Sequence, residues 1–294
     1  MCATCGCGKE TTATVLNLQS GTTTVLSRHG PGHHHDHQND HHGHDHRHVT
    51  IDLEARILAA NDARAKKNRA LFAALRILAL NLVSAPGSGK TTLLERTIRD
   101  LKGELPLAVL EGDQATANDA ERIRAAGAPV VQINTGAGCH LEADMVARGF
   151  SELKPAPDSV LFIENVGNLV CPALFDLGER AKVAILSVAE GEDKPLKYPH
   201  MFRAADMMIL NKIDLLPHVD FDVARAAENA RKVNPRITIL QLSARTGEGL
   251  DAWHSWLRRE LRLYGAREAD RAPRDDLAGS GRREKRHAPP DRPV

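Results

Sequence analysis

The chain has 294 residues, 42% of them hydrophobic and 26% charged, which is ordinary for a globular protein with one large or two smaller domains. Its formal net charge is +1 and only 3% of its residues are aromatic, so we expect neither nucleic-acid binding nor attraction to acidic membranes. The longest apolar stretch, residues 74–85, is too short to span a bilayer, and the first residues lack the basic and then apolar pattern of a secretory signal. We therefore expect a cytoplasmic protein whose five cysteines are reduced thiols with metal or redox roles.

The first 49 residues are rich in metal-binding residue types. Residues 1–28 form a leader rich in Cys and Thr with little periodicity, and its cysteines Cys2, Cys5 and Cys7 are close enough to wrap one Ni²⁺ or Zn²⁺ ion. The alternative is a disulfide-prone end without function. Residues 29–49 hold ten of the fifteen histidines, interleaved with Asp, Asn and Gly, and we predict that this tract is disordered without metal. A metal reservoir fits this interleaving better than an expression tag does.

Between residues 50 and 265, short apolar runs alternate with helical patterns, which predicts an α/β domain with a doubly wound, mainly parallel sheet. An amphipathic helix at 50–74 comes first. Buried strands are predicted at 76–85, 105–113, 129–134, 159–165, 182–190, 206–212 and 236–244. Further helices are predicted at 91–102, 116–126, 141–153, 222–233 and 249–263. Residues 266–294 are rich in charge, Pro and Gly, which predicts a disordered tail with no assigned role.

A phosphate-binding loop is predicted in "SAPGSGKTTLL", residues 84–94, between a strand and a helix. Its Gly-rich turn lets backbone N–H groups face a phosphate, and the helix N-terminus adds a favourable dipole. Lys90 is expected to neutralise the β- and γ-phosphates, and the Thr91 hydroxyl to bind Mg²⁺. The usual pattern begins with Gly where this chain has Ser84. The nucleotide-binding residues predicted from the loop are Gly87, Ser88, Gly89, Lys90, Thr91 and Thr92.

Two further motifs favour GTP over ATP. "ILNKIDLL" places Asn211, Lys212 and Asp214 at a strand end, like the guanine-reading motif of GTPases. The carboxylate of Asp214 accepts hydrogen bonds from the purine N1–H and 2-amino groups, and adenine lacks that donor pair. "LSARTGEGL" resembles the companion base-binding loop, with Ser243 and Ala244 as its predicted binding residues.

Acidic residues follow two strands between these motifs. Asp113 in "EGDQATANDAERI" and Glu164 in "IENVGNLVCP" are candidates to hold Mg²⁺ or to orient the attacking water. The alternative is that each carboxylate caps the following helix. Gly167 suits a turn that senses the γ-phosphate, since its amide can approach closely.

A second metal site is predicted inside the nucleotide-binding region. Cys139 and His140 follow the strand at 129–134, and Cys171 follows the strand at 159–165. Strand ends on one edge of a parallel sheet lie together, and three such ligands leave a position for water or a partner's residue. The alternative is two structural cysteines beside a histidine at a helix N-terminus.

Taken in order, these motifs resemble those of the hydrogenase nickel-incorporation GTPases, the HypB family, over about residues 50–263. The similarity is carried by "CATCGCG", "NLVSAPGSGKTTLL", "EGDQATANDA", "NTGAGCHL", "IENVGNLVCP" and "LNKIDLL". It implies a GTPase of the signal-recognition-particle-like class that forms a homodimer with nucleotide. It also implies delivery of Ni²⁺ to the large subunit of [NiFe]-hydrogenase, together with the nickel accessory protein HypA.

The resemblance also implies two metal sites. The high-affinity site is formed by Cys2, Cys5 and Cys7. The site of the GTPase domain is formed by Cys139, His140 and Cys171.

Three alternatives stay open from the sequence. A related GTPase that serves urease shares the phosphate loop and the guanine motif, and "ENVGNLVCP" favours the hydrogenase branch. A P-loop ATPase or small-molecule kinase is disfavoured by Asn211 and Asp214. A nickel buffer explains the first 48 residues and leaves the phosphate loop unexplained.

Overall fold

The computed structural model describes residues 13–26, 46–114 and 117–271. The predicted leader site (Cys2, Cys5 and Cys7), most of the histidine tract and the tail beyond 271 lie outside the described residues.

The nine strands of the described residues form one sheet. They are β1 (Ala13–Asn17), β2 (Thr22–Leu26), β3 (Leu78–Ser84), β4 (Leu107–Asp113), β5 (Val130–Asn134), β6 (Val160–Glu164), β7 (Ala181–Ser187), β8 (Met207–Asn211) and β9 (Thr238–Gln241). Their order is β2-β1-β5-β4-β6-β3-β7-β8-β9, and every pairing from β5 to β9 is parallel. The predicted mainly parallel α/β sheet is confirmed.

Helices precede, connect and follow the parallel strands. They are α1 (His46–Ala74), α2 (Lys90–Leu101), α3 (Asn118–Ala126), α4 (Ala143–Leu153), α5 (Cys171–Leu174), α6 (Lys194–Lys197), α7 (Pro199–Ala204), α8 (Val223–Val233) and α9 (Leu250–Arg271), with a 3₁₀ helix at Ile213–His218. No helix in the described part of the chain is long and apolar enough to cross a membrane.

The core lies on both faces of the sheet. Alternate residues of β3 point to opposite faces, so Leu80 joins the apolar cluster under α2, α3 and α9, whereas Ala79 joins the cluster under α1 and α4. Trp253 of α9 and Phe162 of β6 are wholly buried on the first face. Burial on both faces explains why the central strands are continuous apolar runs.

Strands β1 and β2 form a hairpin that the sequence analysis did not predict. Its turn contains Gly21 at φ 68°, and β1 pairs antiparallel with β5, with Thr14 opposite Asn134. Ala13 and Val15 of β1 are buried against the sheet, whereas β2 is mostly threonine and exposed, so the apolar alternation is weak in the sequence. Helix α9 also continues to Arg271, past the predicted domain end at 265.

Candidate functional site

The phosphate loop lies where β3 ends and α2 begins. Gly87 and Gly89 take φ values of 77° and 94°, which side chains with a Cβ atom disfavour, so the sequence supplies glycine at both bends. The Lys90 ammonium donates to Ser84 Oγ at 2.9 Å. Ser84 is wholly buried and its hydroxyl donates onward to the Ala85 carbonyl at 2.7 Å. The serine that departs from the usual loop pattern therefore holds the lysine over the loop.

Glu190 is a loop contact that sequence reasoning missed. The Ser88 hydroxyl donates to Glu190 Oε1 at 2.7 Å, and the Ser187 backbone N–H donates to the same oxygen at 3.0 Å. Glu190 therefore links the phosphate loop to the end of β7. The signal in the sequence was an acidic residue just beyond a buried strand.

The predicted base-reading residues meet the phosphate loop. Asn211 is buried, donates from Nδ2 to the Ser88 carbonyl at 2.9 Å, and accepts the Ala244 N–H on Oδ1 at 3.1 Å. The Lys212 ammonium donates to the Gly87 carbonyl at 2.7 Å. The residues that follow β8 and β9 are therefore joined to the phosphate loop by hydrogen bonds.

Asp214 and Ser243 face each other. The Ser243 hydroxyl donates to Asp214 Oδ1 at 2.6 Å, and the Thr246 N–H donates to Ser243 Oγ at 3.1 Å. These two hydrogen bonds hold the Asp214 carboxylate against the loop that follows β9. An ionised carboxylate there accepts hydrogen bonds only, which matches the two donors on the edge of guanine.

Glu164 lies directly beside the start of α2. The Thr91 hydroxyl donates to Glu164 Oε1 at 2.8 Å, and Glu164 is only 3% exposed. Its Oε2 atom has no hydrogen-bond partner among the described residues. Burial raises the pKa of Glu164 to about 7, against the opposing effects of the Lys90 charge and the Thr91 hydrogen bond. A buried carboxylate with an unsatisfied oxygen beside a threonine hydroxyl fits a Mg²⁺ ion, which prefers such oxygen ligands.

The second predicted carboxylate, Asp113, lies at the end of β4, two strands from the phosphate loop. Its backbone carbonyl accepts the Thr135 N–H at 2.8 Å, which joins it to the loop after β5. Thr92, on the outer side of α2, accepts from the Arg122 guanidinium of α3 at 3.4 Å.

Glu111 is a second buried acid that sequence reasoning missed. It lies on β4 directly opposite Glu164 on β6, and it is 2% exposed. Burial, together with the negative charges of Glu164 and Asp113, raises its pKa to about 9. Glu111 is therefore neutral at physiological pH. A charged residue within the apolar run "LAVLEGD" was the available signal.

Cys139, His140 and Cys171 come together on two loops. Their ligand atoms all lie within 4.8 Å of one another. The two thiol sulfurs are 3.0 Å apart without forming a disulfide, and Cys139 Sγ lies 3.6 Å from His140 Nδ1. All three residues are half-buried, and the His140 ring packs on the Phe175 ring with centroids 3.9 Å apart. Two thiolates and an imidazole are a donor set for Ni²⁺ or Zn²⁺ with a position left for another ligand.

The residues after β6 connect this triad to the phosphate loop. Asn165 Oδ1 accepts the Leu141 N–H at 3.1 Å, and the Asn168 amide donates to the Cys139 carbonyl at 3.3 Å. Gly167 lies against the phosphate loop, because a Cβ atom there would sit 3.1 Å from Pro86 Cα. The segment from Glu164 to Cys171 therefore contacts both sites.

Comparison with known proteins gives the family. The CobW/HypB/UreG nucleotide-binding domain matches residues 78–241. The hydrogenase maturation factor HypB of Azotobacter chroococcum is 61% identical over 210 residues, which cover 71% of this chain and 69% of that protein. The chain belongs to the HypB family of hydrogenase maturation factors. As a HypB protein it is a P-loop GTPase.

Two solved HypB structures share its fold. HypB from Archaeoglobus fulgidus is 39% identical with a TM-score of 0.65, and the match covers 69% of this chain and 99% of that one. HypB from Helicobacter pylori in complex with nickel is 38% identical, also with a TM-score of 0.65, over 69% of this chain and 96% of that one.

Proposed function

We propose that this HypB protein couples GTP binding and hydrolysis to the insertion of Ni²⁺ into the large subunit of [NiFe]-hydrogenase. One observation carries the proposal. The segment from Glu164 to Cys171 begins at a carboxylate hydrogen-bonded to Thr91 of the phosphate loop and ends at a ligand of the metal triad. The two ends are therefore joined by a short stretch of chain, along which a change at one end can reach the other.

At the nucleotide end, the loop residues hold and orient the phosphates. Lys90 exchanges its contact with Ser84 for the β- and γ-phosphate oxygens, and the backbone N–H groups around Gly87 and Gly89 face the same charge. Thr91 and Glu164 would hold Mg²⁺, and Asp113 would act through a water molecule. When bound, this ion neutralises charge that develops during phosphoryl transfer.

Base selection rests on Asp214, which Ser243 holds in place through a 2.6 Å hydrogen bond. Asn211 supports this base-binding region, because its side-chain amide hydrogen-bonds both the phosphate loop and the Ala244 backbone. Guanine offers this carboxylate an N1–H and a 2-amino donor, whereas adenine offers neither.

At the metal end, Ni²⁺ is cargo held by Cys139, His140 and Cys171. The nickel complex of the Helicobacter pylori relative supports this choice of ion. The nucleotide alters the loop that carries Cys171, and by reciprocity the metal alters the affinity for nucleotide. The three ligands leave a coordination position for a residue of a second subunit in a nucleotide-dependent homodimer, or for the acceptor protein.

The leader site at Cys2, Cys5 and Cys7 captures nickel for delivery, and HypA is the proposed partner in the transfer. Zn²⁺ competes for the same thiolates, since affinity alone does not select nickel. We place this activity in the cytoplasm, where reduced thiols persist.

The experiment that tests the proposal is complementation of a hydrogenase-expressing strain that lacks its own HypB protein. Lys90→Ala is expected to give no hydrogenase activity at any nickel concentration, because hydrolysis does more than supply metal. Cys171→Ala is expected to lower activity most strongly at limiting nickel. The matched control is Lys232→Ala, which removes an exposed lysine paired with Glu228 on α8. Full activity of Lys90→Ala would contradict the proposal.

A further inference from the structure

A buried polar cluster lies on the face of the sheet that carries α1 and α4, at a position where the neighbouring side chains are apolar. We name it the asparagine–lysine network; its members are Asn81, Asn165, Glu179 and Lys182. Asn81 and Asn165 are 0% and 1% exposed, and the side chains of Glu179 and Lys182 are each 7% exposed. Burying an ammonium and a carboxylate opposes folding unless both are well hydrogen-bonded. The presence of these two charges in an apolar region therefore calls for a functional explanation.

The lysine end of the network holds the segment that carries Cys171. The Lys182 ammonium, reaching out from β7, donates to the Pro172 carbonyl at 2.8 Å and to the Phe175 carbonyl at 3.4 Å. Pro172 is covalently next to Cys171, and the Phe175 ring packs on His140. Helix α5 is a single turn of four residues, and the last carbonyls of a helix lack donors within the helix. Lys182 supplies a donor to one of them, the Pro172 carbonyl, and to the Phe175 carbonyl just beyond the helix.

The asparagine end holds the segment that carries Cys139 and His140. Asn165 Oδ1 accepts the N–H of Leu141, the residue directly after His140, at 3.1 Å. The same oxygen accepts the Val166 N–H at 3.0 Å, so the Asn165 side chain has a fixed orientation.

Glu179 and Asn81 join the two ends. Glu179 Oε1 accepts from the Asn81 amide at 3.1 Å and lies 3.7 Å from the Lys182 ammonium. Asn81 Oδ1 in turn accepts from the Asn165 amide at 3.3 Å. A continuous chain of buried contacts thus runs from the carbonyl beside Cys171 to the N–H beside His140.

We propose that the asparagine–lysine network positions the two arms of the Cys139, His140 and Cys171 triad, and that Lys182 and Asn81 are positioning residues for its metal. This inference rests on the metal site of the proposed function. The network fixes the backbone on both sides of the triad, and such supporting contacts typically change metal affinity by roughly 10–100-fold when removed. Asn165 also follows Glu164 in the chain. A displacement at the end of β6 therefore moves Asn165 and, through the network, both the segment with Cys139 and His140 and the segment with Cys171.

The test is Ni²⁺ titration of the full chain carrying Cys2→Ala, Cys5→Ala and Cys7→Ala. Binding is followed by the sulfur-to-nickel charge-transfer absorbance, to which the histidine tract does not contribute because it has no sulfur ligand, and the affinity of that species is set by chelator competition. In this parent, Lys182→Met combined with Glu179→Gln removes both buried charges together, so neither is left unpaired. We expect Ni²⁺ affinity to fall at least about tenfold and the charge-transfer band to change. A second variant, Asn81→Ser, breaks the link between Glu179 and Asn165 but keeps both buried charges. It is also expected to weaken Ni²⁺ binding.

The control is Thr97→Val, which removes the buried 3.0 Å hydrogen bond from Trp253 on the opposite face of the sheet. It lowers stability without touching the triad, so its Ni²⁺ affinity and spectrum are expected to match the parent. Parent-like affinity and spectrum in both network variants would overturn the positioning inference and leave the metal site standing. Parent-like binding by Cys171→Ser would overturn the proposed metal site itself.

Discussion

Replacing Gly89 with alanine tests how the base-reading motif supports the phosphate loop. A Cβ atom at Gly89 would lie 2.6 Å from Asn211 Nδ2, so Asn211 must move. Asn211 is buried and fixed by its hydrogen bonds with the Ser88 carbonyl and the Ala244 N–H, and displacement breaks both. At about 1 kcal/mol each, these bonds amount to about 2 kcal/mol. The φ of 94° adds about 1–2 kcal/mol of backbone strain.

Gly87→Ala is the matched control for this change. Gly87 also has a positive φ, 77°, but a Cβ atom there meets nothing within 4 Å. It therefore carries only the backbone strain, about 1–2 kcal/mol, and the difference between the two variants isolates the displacement of Asn211. We expect urea denaturation without nucleotide to give a free energy of unfolding about 2 kcal/mol lower for Gly89→Ala than for Gly87→Ala. Equal values for the two variants would refute the reasoning.

Three other predictions concern single side chains. Asp214→Asn is expected to weaken GTP binding at least about 100-fold and to improve XTP binding, because two charge-assisted hydrogen bonds of about 1.5–3 kcal/mol each are lost and the amide matches the carbonyl of xanthine. Competition binding checks this, and an unchanged preference for GTP would contradict it. Thr91→Val is expected to abolish the increase in GDP affinity that Mg²⁺ gives. Calorimetry measures the GDP dissociation constant with and without the ion, and an increase equal to that of the parent would argue against Thr91 as a Mg²⁺ ligand. Glu111→Gln is expected to flatten the pH dependence of stability. The folded pKa of about 9 lies above the unfolded value near 4.5, so the stabilisation from the neutral carboxyl is complete below about pH 4.5 and is lost as pH rises toward 9. Denaturation at pH 5 and pH 8 should therefore show a steeper decline in the parent, and parallel declines would disprove the assignment.

The parts of the fold predicted from the sequence are those whose signals are local. The phosphate loop has its glycines at the two positive-φ positions, and the buried strands are continuous apolar runs, so the sheet and its carboxyl edge could be inferred. The same edge explains why Cys139, His140 and Cys171 were expected together although 31 residues separate His140 from Cys171. Their roles as ligands stay a prediction.

The features that were missed depend on pairing across the sheet. Strands β1 and β2 become visible only through the pairing of β1 with β5 and of β2 with β1, since threonine fills most of the exposed positions of β2. Glu111 has a high pKa because it is buried and because it lies opposite Glu164, which is 53 positions away in the chain. The sequence places Lys182 at the start of an apolar strand. Nothing in the neighbouring residues indicates that its ammonium donates to the carbonyls of Pro172 and Phe175.

The central claim is that nucleotide state and nickel binding are coupled through the segment from Glu164 to Cys171. The direct measurement is the Ni²⁺ dissociation constant of the full chain with Cys2, Cys5 and Cys7 replaced by alanine, read from the sulfur-to-nickel charge-transfer absorbance of the triad. It is taken with Mg²⁺–GDP and with a Mg²⁺-bound, non-hydrolysable GTP analogue. We predict at least about a fivefold difference, the lower end of typical coupling between sites, and no Ni²⁺ binding at this site in either state for Cys171→Ala. Identical dissociation constants in the two nucleotide states would contradict the account.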